Sequence, residues 1–207
     1  MTVARANASS RGRPRSREAD RAITEAALDV LGDSGIANFS VEAVAARAGV
    51  GKATIYRRFP GRIGLLSAAL DRLHDDLPSP QDEGDARTRL LAHLDVIRVP
   101  MSDTRSGRVM AQVISTGSSH PELLEVFYER VISPRRGVLR QTLLAGIEEG
   151  WVDAGVDIEV VLSLLVGAMM HIKVWSSVTQ DAPSTISVLD TALAGIGVNP
   201  RIHASGS

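Results

Sequence analysis

Apolar residues recur along most of this chain at spacings of three and four, the period of one helical face. No stretch alternates as a half-buried strand would. Over residues 17–34 the stripe is Ile23, Ala26, Ala27, Val30 and Leu31. Asp33-Ser34-Gly35 then reads as a helix stop, with Gly35 suited to the left-handed position just past a helix end. Ile36 and Phe39 are expected to pack back on the core. A second helix is expected from Val41, with Val44, Ala45 and Ala48 on the same face and Ser40 before it. Ser40 is a good N-cap because its hydroxyl can accept from an orphan amide of the first turn. A tight turn at Gly49-Val50-Gly51 leads to a short third helix over residues 52–59.

Further helices are expected over 61–77, with Ile63, Leu66, Ala69, Leu70 and Leu73 on one side, and over 85–99, with Leu90, Leu91, Leu94 and Ile97 inward. The segment 107–117 follows with Val109, Met110, Val113 and Ile114. The next pattern starts at Pro121 and runs to Gly150, with a kink or brief interruption at Pro134. Two apolar segments, 157–178 and 183–196, close the series. The pattern predicts an all-α chain of about nine helices, in which the first three form a head and the later ones a C-terminal bundle.

The third helix is where the chemistry gathers. Two helices joined by a short Gly-containing turn, the second crowded with Lys52, Thr54, Tyr56, Arg57 and Arg58, form the signature of a helix-turn-helix. Lys52, Tyr56, Arg58, Arg62 and the Ser40 hydroxyl are candidate phosphate partners. Arg57 can pair with guanine O6 and N7, and Thr54 can meet a thymine methyl or a base edge. Ile55 and Phe59, four apart, read as anchors to the core. Arg47 has two readings, a phosphate contact or an ion pair with Glu42.

From Ser40-Val41-Glu42 through Ala48-Gly49-Val50, then Thr54-Ile55-Tyr56-Arg57-Arg58-Phe59 and Leu65-Leu66, the chain resembles the DNA-binding domain of TetR-family transcriptional regulators. The resemblance covers roughly residues 17–74. Gly51 stands where Ser or Thr is commoner in that family, and Arg62 where Lys is common. The resemblance implies a helix-turn-helix domain over 17–60, a connecting helix over 61–77, and a ligand-binding and dimerisation domain over 78–207. It also implies a transcriptional regulator, a repressor released from a palindromic operator by a small-molecule effector. Beyond residue 75, His120-Pro121-Glu122-Leu123 and Glu149-Gly150-Trp151 with Asp157 resemble one group of the family's C-terminal domains.

Charge divides the chain in the same place. Residues 1–74 carry twelve Lys/Arg against seven Asp/Glu, a net +5, and the remainder carries eleven against seventeen, a net −6. Only the first part is suited to nucleic acid. Residues 1–16 read as a flexible basic arm. There Arg11-Gly12-Arg13-Pro14, followed by Arg15, is similar to the core of a minor-groove-binding arm, or is a solvated basic tail.

A short recognition helix supplies little specificity alone, so a homodimer reading two half-sites is expected. The segment 157–178 is apolar nearly all round, and Ser163 and Gly167, four apart, permit close approach. Leu162, Leu165, Val166 and Met169, with Ile186, Leu189 and Leu193 of the last helix, are the candidate dimer surface. In the family the last two helices of each subunit meet as a four-helix bundle. An effector pocket, implied by the resemblance, has Leu94, Met110, Val113, Phe127, Met169, His171 and Trp175 as candidate lining, chemistry that suits an apolar ligand.

Other classes find little support. With no Cys there is no disulfide framework or thiolate metal site. No Gly-rich phosphate loop or nucleophile motif is present, so no catalysis and no cofactor are expected. His74-Asp75-Asp76 reads as a solvated helix end more than a metal site. The longest nearly apolar run, 160–172, is thirteen residues against the about 20 a bilayer needs, so a soluble cytoplasmic protein is expected. The second functional class left open is a helical interaction protein whose basic head binds an acidic partner.

Overall fold

The computed structural model describes residues 13–80, 83–98, 104–116, 119–175, 178 and 181–196. Among them the chain is helical, with ten α-helices and no strand. The helices are α1 Arg13–Ser34, α2 Val41–Ala48, α3 Lys52–Tyr56, α4 Gly61–Asp76, α5 Ala86–Ile97, α6 Arg105–Thr116, α7 Pro121–Phe127, α8 Ser133–Glu148, α9 Ile158–Trp175 and α10 Thr185–Ile196. A π-helical turn, Tyr128–Ile132, joins α7 to α8, so these two make one run and the helical segments number nine. Pro134 explains the turn. It lacks an N–H and its ring crowds the carbonyl four residues back, so the hydrogen-bond ladder widens just before it.

Two compact units emerge. Of the described residues, one unit takes those up to Asp75 with those of Val109–Phe127, and the other takes those of Asp76–Arg108 with those from Tyr128 on. The first unit is built on α1, whose Ile23, Ala27, Leu28 and Leu31 are fully enclosed with Ile55, Leu65 and Leu70. Each such aliphatic side chain contributes about 1.5–3 kcal/mol on burial. The stripe of α4 is turned from the expected one. Leu65 is buried, whereas Ile63 is 45% exposed, because α4 seats Leu65, Leu66, Ala69, Leu70 and Leu73 together. Ile114 of α6 is likewise exposed while Val109 and Val113 are enclosed. Gly35 follows α1 with a positive φ (+71°) but an extended ψ (176°), not the left-handed helical conformation expected, and an added Cβ would lie 2.7 Å from the Gln112 side-chain oxygen. A side chain there would meet both backbone strain and a neighbour.

α1 is already helical at Arg13, the first described residue, four residues before the expected start. Arg13 and Arg15 therefore sit on helical backbone and not on an extended arm, and Arg11 lies outside the described residues.

The second unit closes around Leu90 and Leu94 of α5, Leu139 and Leu143 of α8, Val161, Leu162, Leu165, Met169 and Ile172 of α9, and Leu189 of α10. The Glu149-Gly150-Trp151 sequence serves as its lock. The Glu149 carboxylate accepts from the Ala86 amide at the start of α5 (3.0 and 3.1 Å) and from the Trp151 indole N–H (3.1 Å). The indole in turn covers Gly146, where a Cβ would fall 2.5 Å from the ring.

α9 is 18 residues long with a mean hydropathy of 1.7, long and apolar enough to cross a membrane by length and composition. The helix extends the thirteen-residue apolar run at both ends. Five of its side chains are nevertheless spent on the core of its own unit. The expected dimer surface changes accordingly. Leu162, Leu165, Met169 and Leu189 are fully enclosed by their own chain, and Val166 and Leu193 are half-buried. What faces outward is Val160, Leu164, Ser163, Gly167, His171, Val174 and Trp175 on α9, and Ile186 on α10.

Candidate nucleic-acid interface

The head is assembled from local sequence signals. Ser40 caps α2 as expected, its hydroxyl oxygen accepting from the Ala43 amide at 3.1 Å. At the other end Gly49 takes the left-handed conformation (φ 66°, ψ 30°), and the Val50 amide reaches back to the Ala45 carbonyl at 3.0 Å. That reversal sets the start of α3 at Gly51, which caps with its backbone only, the Thr54 amide donating to its carbonyl at 2.8 Å. α3 proper is shorter than expected. Past Tyr56 the ladder tightens, with the Arg58 and Phe59 amides both donating to the Ile55 carbonyl at 2.9 Å.

Ile55 and Phe59 are the anchors the spacing indicated, and both are buried. Their burial turns the opposite face outward. Lys52, Ala53, Tyr56 and Arg57 are exposed, Tyr56 by 56%, and Thr54 is half-buried. Ala53, Tyr56 and Arg57 stand three and four apart on one face. Ala53 escaped the sequence reading because alanine carries no polar group. Its bare methyl on this face is suited to a thymine methyl.

The cations of the head fall into two groups. Arg47 pairs with Asp33 at the end of α1, both terminal nitrogens 3.2 Å from one carboxylate oxygen, and not with Glu42. Glu42 instead takes Lys52, at 3.2 Å. The Glu42 carboxyl is held below its ordinary range by its own backbone N–H first and by Lys52 second. Both side chains of that pair are more than half exposed, so the contact contributes little and opens easily. Arg58 is paired with Asp20 of α1, and Arg62 donates to the backbone carbonyls of Ile36 and Phe39. Among the described residues neither Tyr56 nor Arg57 has a side-chain hydrogen bond or ion pair. Of the side chains expected at phosphate, Tyr56 is open, Lys52 is lightly held, and Arg58 and Arg62 are turned inward; Arg57, expected at a base edge, is open as well.

The candidate effector residues belong to both units. Leu94 and Met169 are enclosed in the core of the second unit, while Met110, Val113 and Phe127 belong to the first. His171 and Trp175 are on the exposed side of α9, ring centroids 6.5 Å apart and tilted by 46°.

Comparison with known proteins bears on this geometry directly. Residues 23–69 match the model for bacterial regulatory proteins of the tetR family, and residues 80–192 match a tetracycline repressor-like C-terminal domain. The helix-turn-helix transcriptional regulator YdeS of Bacillus subtilis (strain 168) is 32% identical over 164 residues, 79% of this chain and 82% of that protein. The DNA-binding transcriptional repressor TetR of Mycobacteroides abscessus is 40% identical over 79 residues, 37% of this chain and 41% of its own length. A TetR-family regulator from Rhodococcus sp. shares the fold, with a TM-score of 0.66 at 20% identity over 86% of this chain and 98% of that one. The helix-turn-helix, its outward cations and these matches over both parts of the chain establish that the protein is a DNA-binding transcriptional regulator of the TetR family.

Proposed function

We propose that the protein acts in the cytoplasm as a homodimeric repressor. It reads a palindromic operator with two copies of α3 and is released by a small-molecule effector bound in the C-terminal domain. The observation that carries the reading is the outward face of α3, where Tyr56 and Arg57 stand exposed and uncommitted beside Ala53 and Lys52. Arg57 suits a guanine edge, Ala53 a thymine methyl, and Tyr56 and Lys52 the backbone. Thr54, half-buried, is placed for a secondary contact.

Dimerisation is supported by the apolar residues left outward on α9, Val160, Leu164 and Trp175 with the small Gly167 between them, and by Ile186 on α10. With His171 between Gly167 and Trp175, the α9 positions are spaced by three and four and make a continuous stripe, the form a helix presents to a partner helix. Repression is supported by the Mycobacteroides relative, a repressor 40% identical to this chain over 79 residues. Effector control is supported by the match to a repressor-like C-terminal domain.

Selection of bound sequences from random duplex DNA with purified protein tests the reading. An inverted repeat should emerge with half-sites about one helical turn or more apart. Recovery of no preferred sequence, or of a site without two-fold symmetry, would contradict it.

A further inference from the structure

Arg58 and Arg62 flank the junction of α3 and α4, where a basic residue would ordinarily be assigned to phosphate. Both point back into the head. Arg58 pairs with Asp20, and its side chain is only 20% exposed. It lines a cleft of about 470 Å³ in which Asp20, Asp71 and Asp75 balance Arg21, Arg58 and Arg72, so the cleft carries no net positive charge to draw a phosphate. Arg62 spans two backbone carbonyls, with Nε 3.0 Å from Phe39 O and Nη2 2.9 Å from Ile36 O. Those carbonyls lie in the turn that delivers Ser40, the cap of α2. A planar guanidinium holds two acceptors in a fixed fork, and an ammonium of equal charge does not reproduce that geometry.

We propose that Arg58 and Arg62 are positioning residues. Arg58 ties the end of α3 to α1, and Arg62 ties the start of α4 to the turn before α2. Together they set the angle at which Ala53 and Arg57 meet the major groove, while phosphate binding falls to Lys52 and Tyr56. The proposal rests on α3 as the DNA-reading helix.

The two roles predict opposite outcomes for charge-conserving changes. The probes are the duplex enriched by the unaltered protein and a scrambled duplex of equal length. With Arg62→Lys, affinity for the enriched site falls about tenfold, the factor carried by loss of one hydrogen bond to a charged group, and scrambled binding is unchanged. A phosphate contact would leave both affinities near their original values. With Asp20→Asn, a positioning Arg58 loses its hold and the ratio of specific to scrambled affinity falls. A phosphate-binding Arg58 would be released, raising both affinities together and leaving the ratio alone. The double variant Asp20→Arg/Arg58→Asp restores the ratio if the pair is a tie, and abolishes binding if residue 58 faces phosphate.

Amide hydrogen exchange of α2 and α3, measured without DNA on the same proteins, separates this proposal from the DNA reading. Exchange accelerates in Arg62→Lys and Asp20→Asn and returns toward the original rate in the double variant. Unchanged exchange in the single variants, or an Arg62→Lys protein that binds the enriched site like the original, overturns the proposal. Enrichment of no site would sink the DNA reading while leaving the exchange result to decide the two ties.

Discussion

Replacing Lys52 with Gln removes one charge from the exposed side of α3 while leaving its stem and its anchors, Ile55 and Phe59, in place. Each phosphate neutralised by a cation contributes about 0.9 to the slope of log K against log salt. In the proposed homodimer two heads on one operator would set Lys52 against two phosphates, so the variant should flatten the slope by about 1.8. Between 50 and 200 mM salt, a fourfold change, the unaltered protein should therefore lose about twelvefold more affinity than the variant. Glu42 works in the opposite direction, because its carboxylate holds the Lys52 ammonium at 3.2 Å and must release it to the backbone. Glu42→Gln should strengthen binding most at low salt, where the opposing charge is least screened. Fluorescence anisotropy of a labelled operator across a salt series measures both effects. A Lys52→Gln slope equal to that of the original protein would remove Lys52 from the phosphate contacts. Weaker binding in Glu42→Gln would show that the ion pair organises α3 instead of competing with DNA.

Ile55→Ala should cost about 2–5 kcal/mol, since the side chain is fully enclosed, and thermal melting should fall together with DNA binding. Tyr56→Ala, on the exposed face, should lose binding at an unchanged melting temperature. Leu164→Glu puts a charge in the middle of the exposed α9 stripe and should yield a folded monomer in sedimentation, whereas a persistent dimer would place the interface elsewhere. Asp85 caps α5, and hydrogen bonds from the Thr88 side chain first and its amide (2.7 Å) second hold its carboxyl below the ordinary range. Its stabilisation is thus present above the ordinary carboxylate pKa and disappears as pH falls through the lowered one. Asp85→Ala should melt earlier at pH 7, with the gap to the original protein closing in acid.

Much of the head was legible because its signals are local. A Ser before an apolar-periodic run caps a helix whatever surrounds it, and a Gly past the end takes a left-handed turn that few other residues tolerate. Ser40, Gly49, Ile55 and Phe59 behave as their spacing indicates. Ala53 was missed because its part is one of position and not of chemistry, and position followed only once the burial of Ile55 had fixed the rotation of α3. The inward turn of Arg58 and Arg62 was equally out of reach. Their partners are Asp20 and the Ile36 and Phe39 carbonyls, 38, 26 and 23 residues away, and separations of that size carry no periodic signal.

The C-terminal half marks the limit most plainly. Periodicity states which residues share a face, but when a helix is apolar nearly all round, as α9 is, it does not say which face its own core takes. Packing of α5, α8 and α10 against Leu162, Leu165 and Met169 made that choice, leaving Val160, Leu164 and Trp175 outward. The amino-acid order determined by itself that the chain is helical, where most helices start and stop, and that a basic helix-turn-helix lies near its beginning. Tertiary structure decided which cations are available to DNA and which apolar face is left for a partner. Both depend on contacts between distant segments, and only the folded chain brings those segments together.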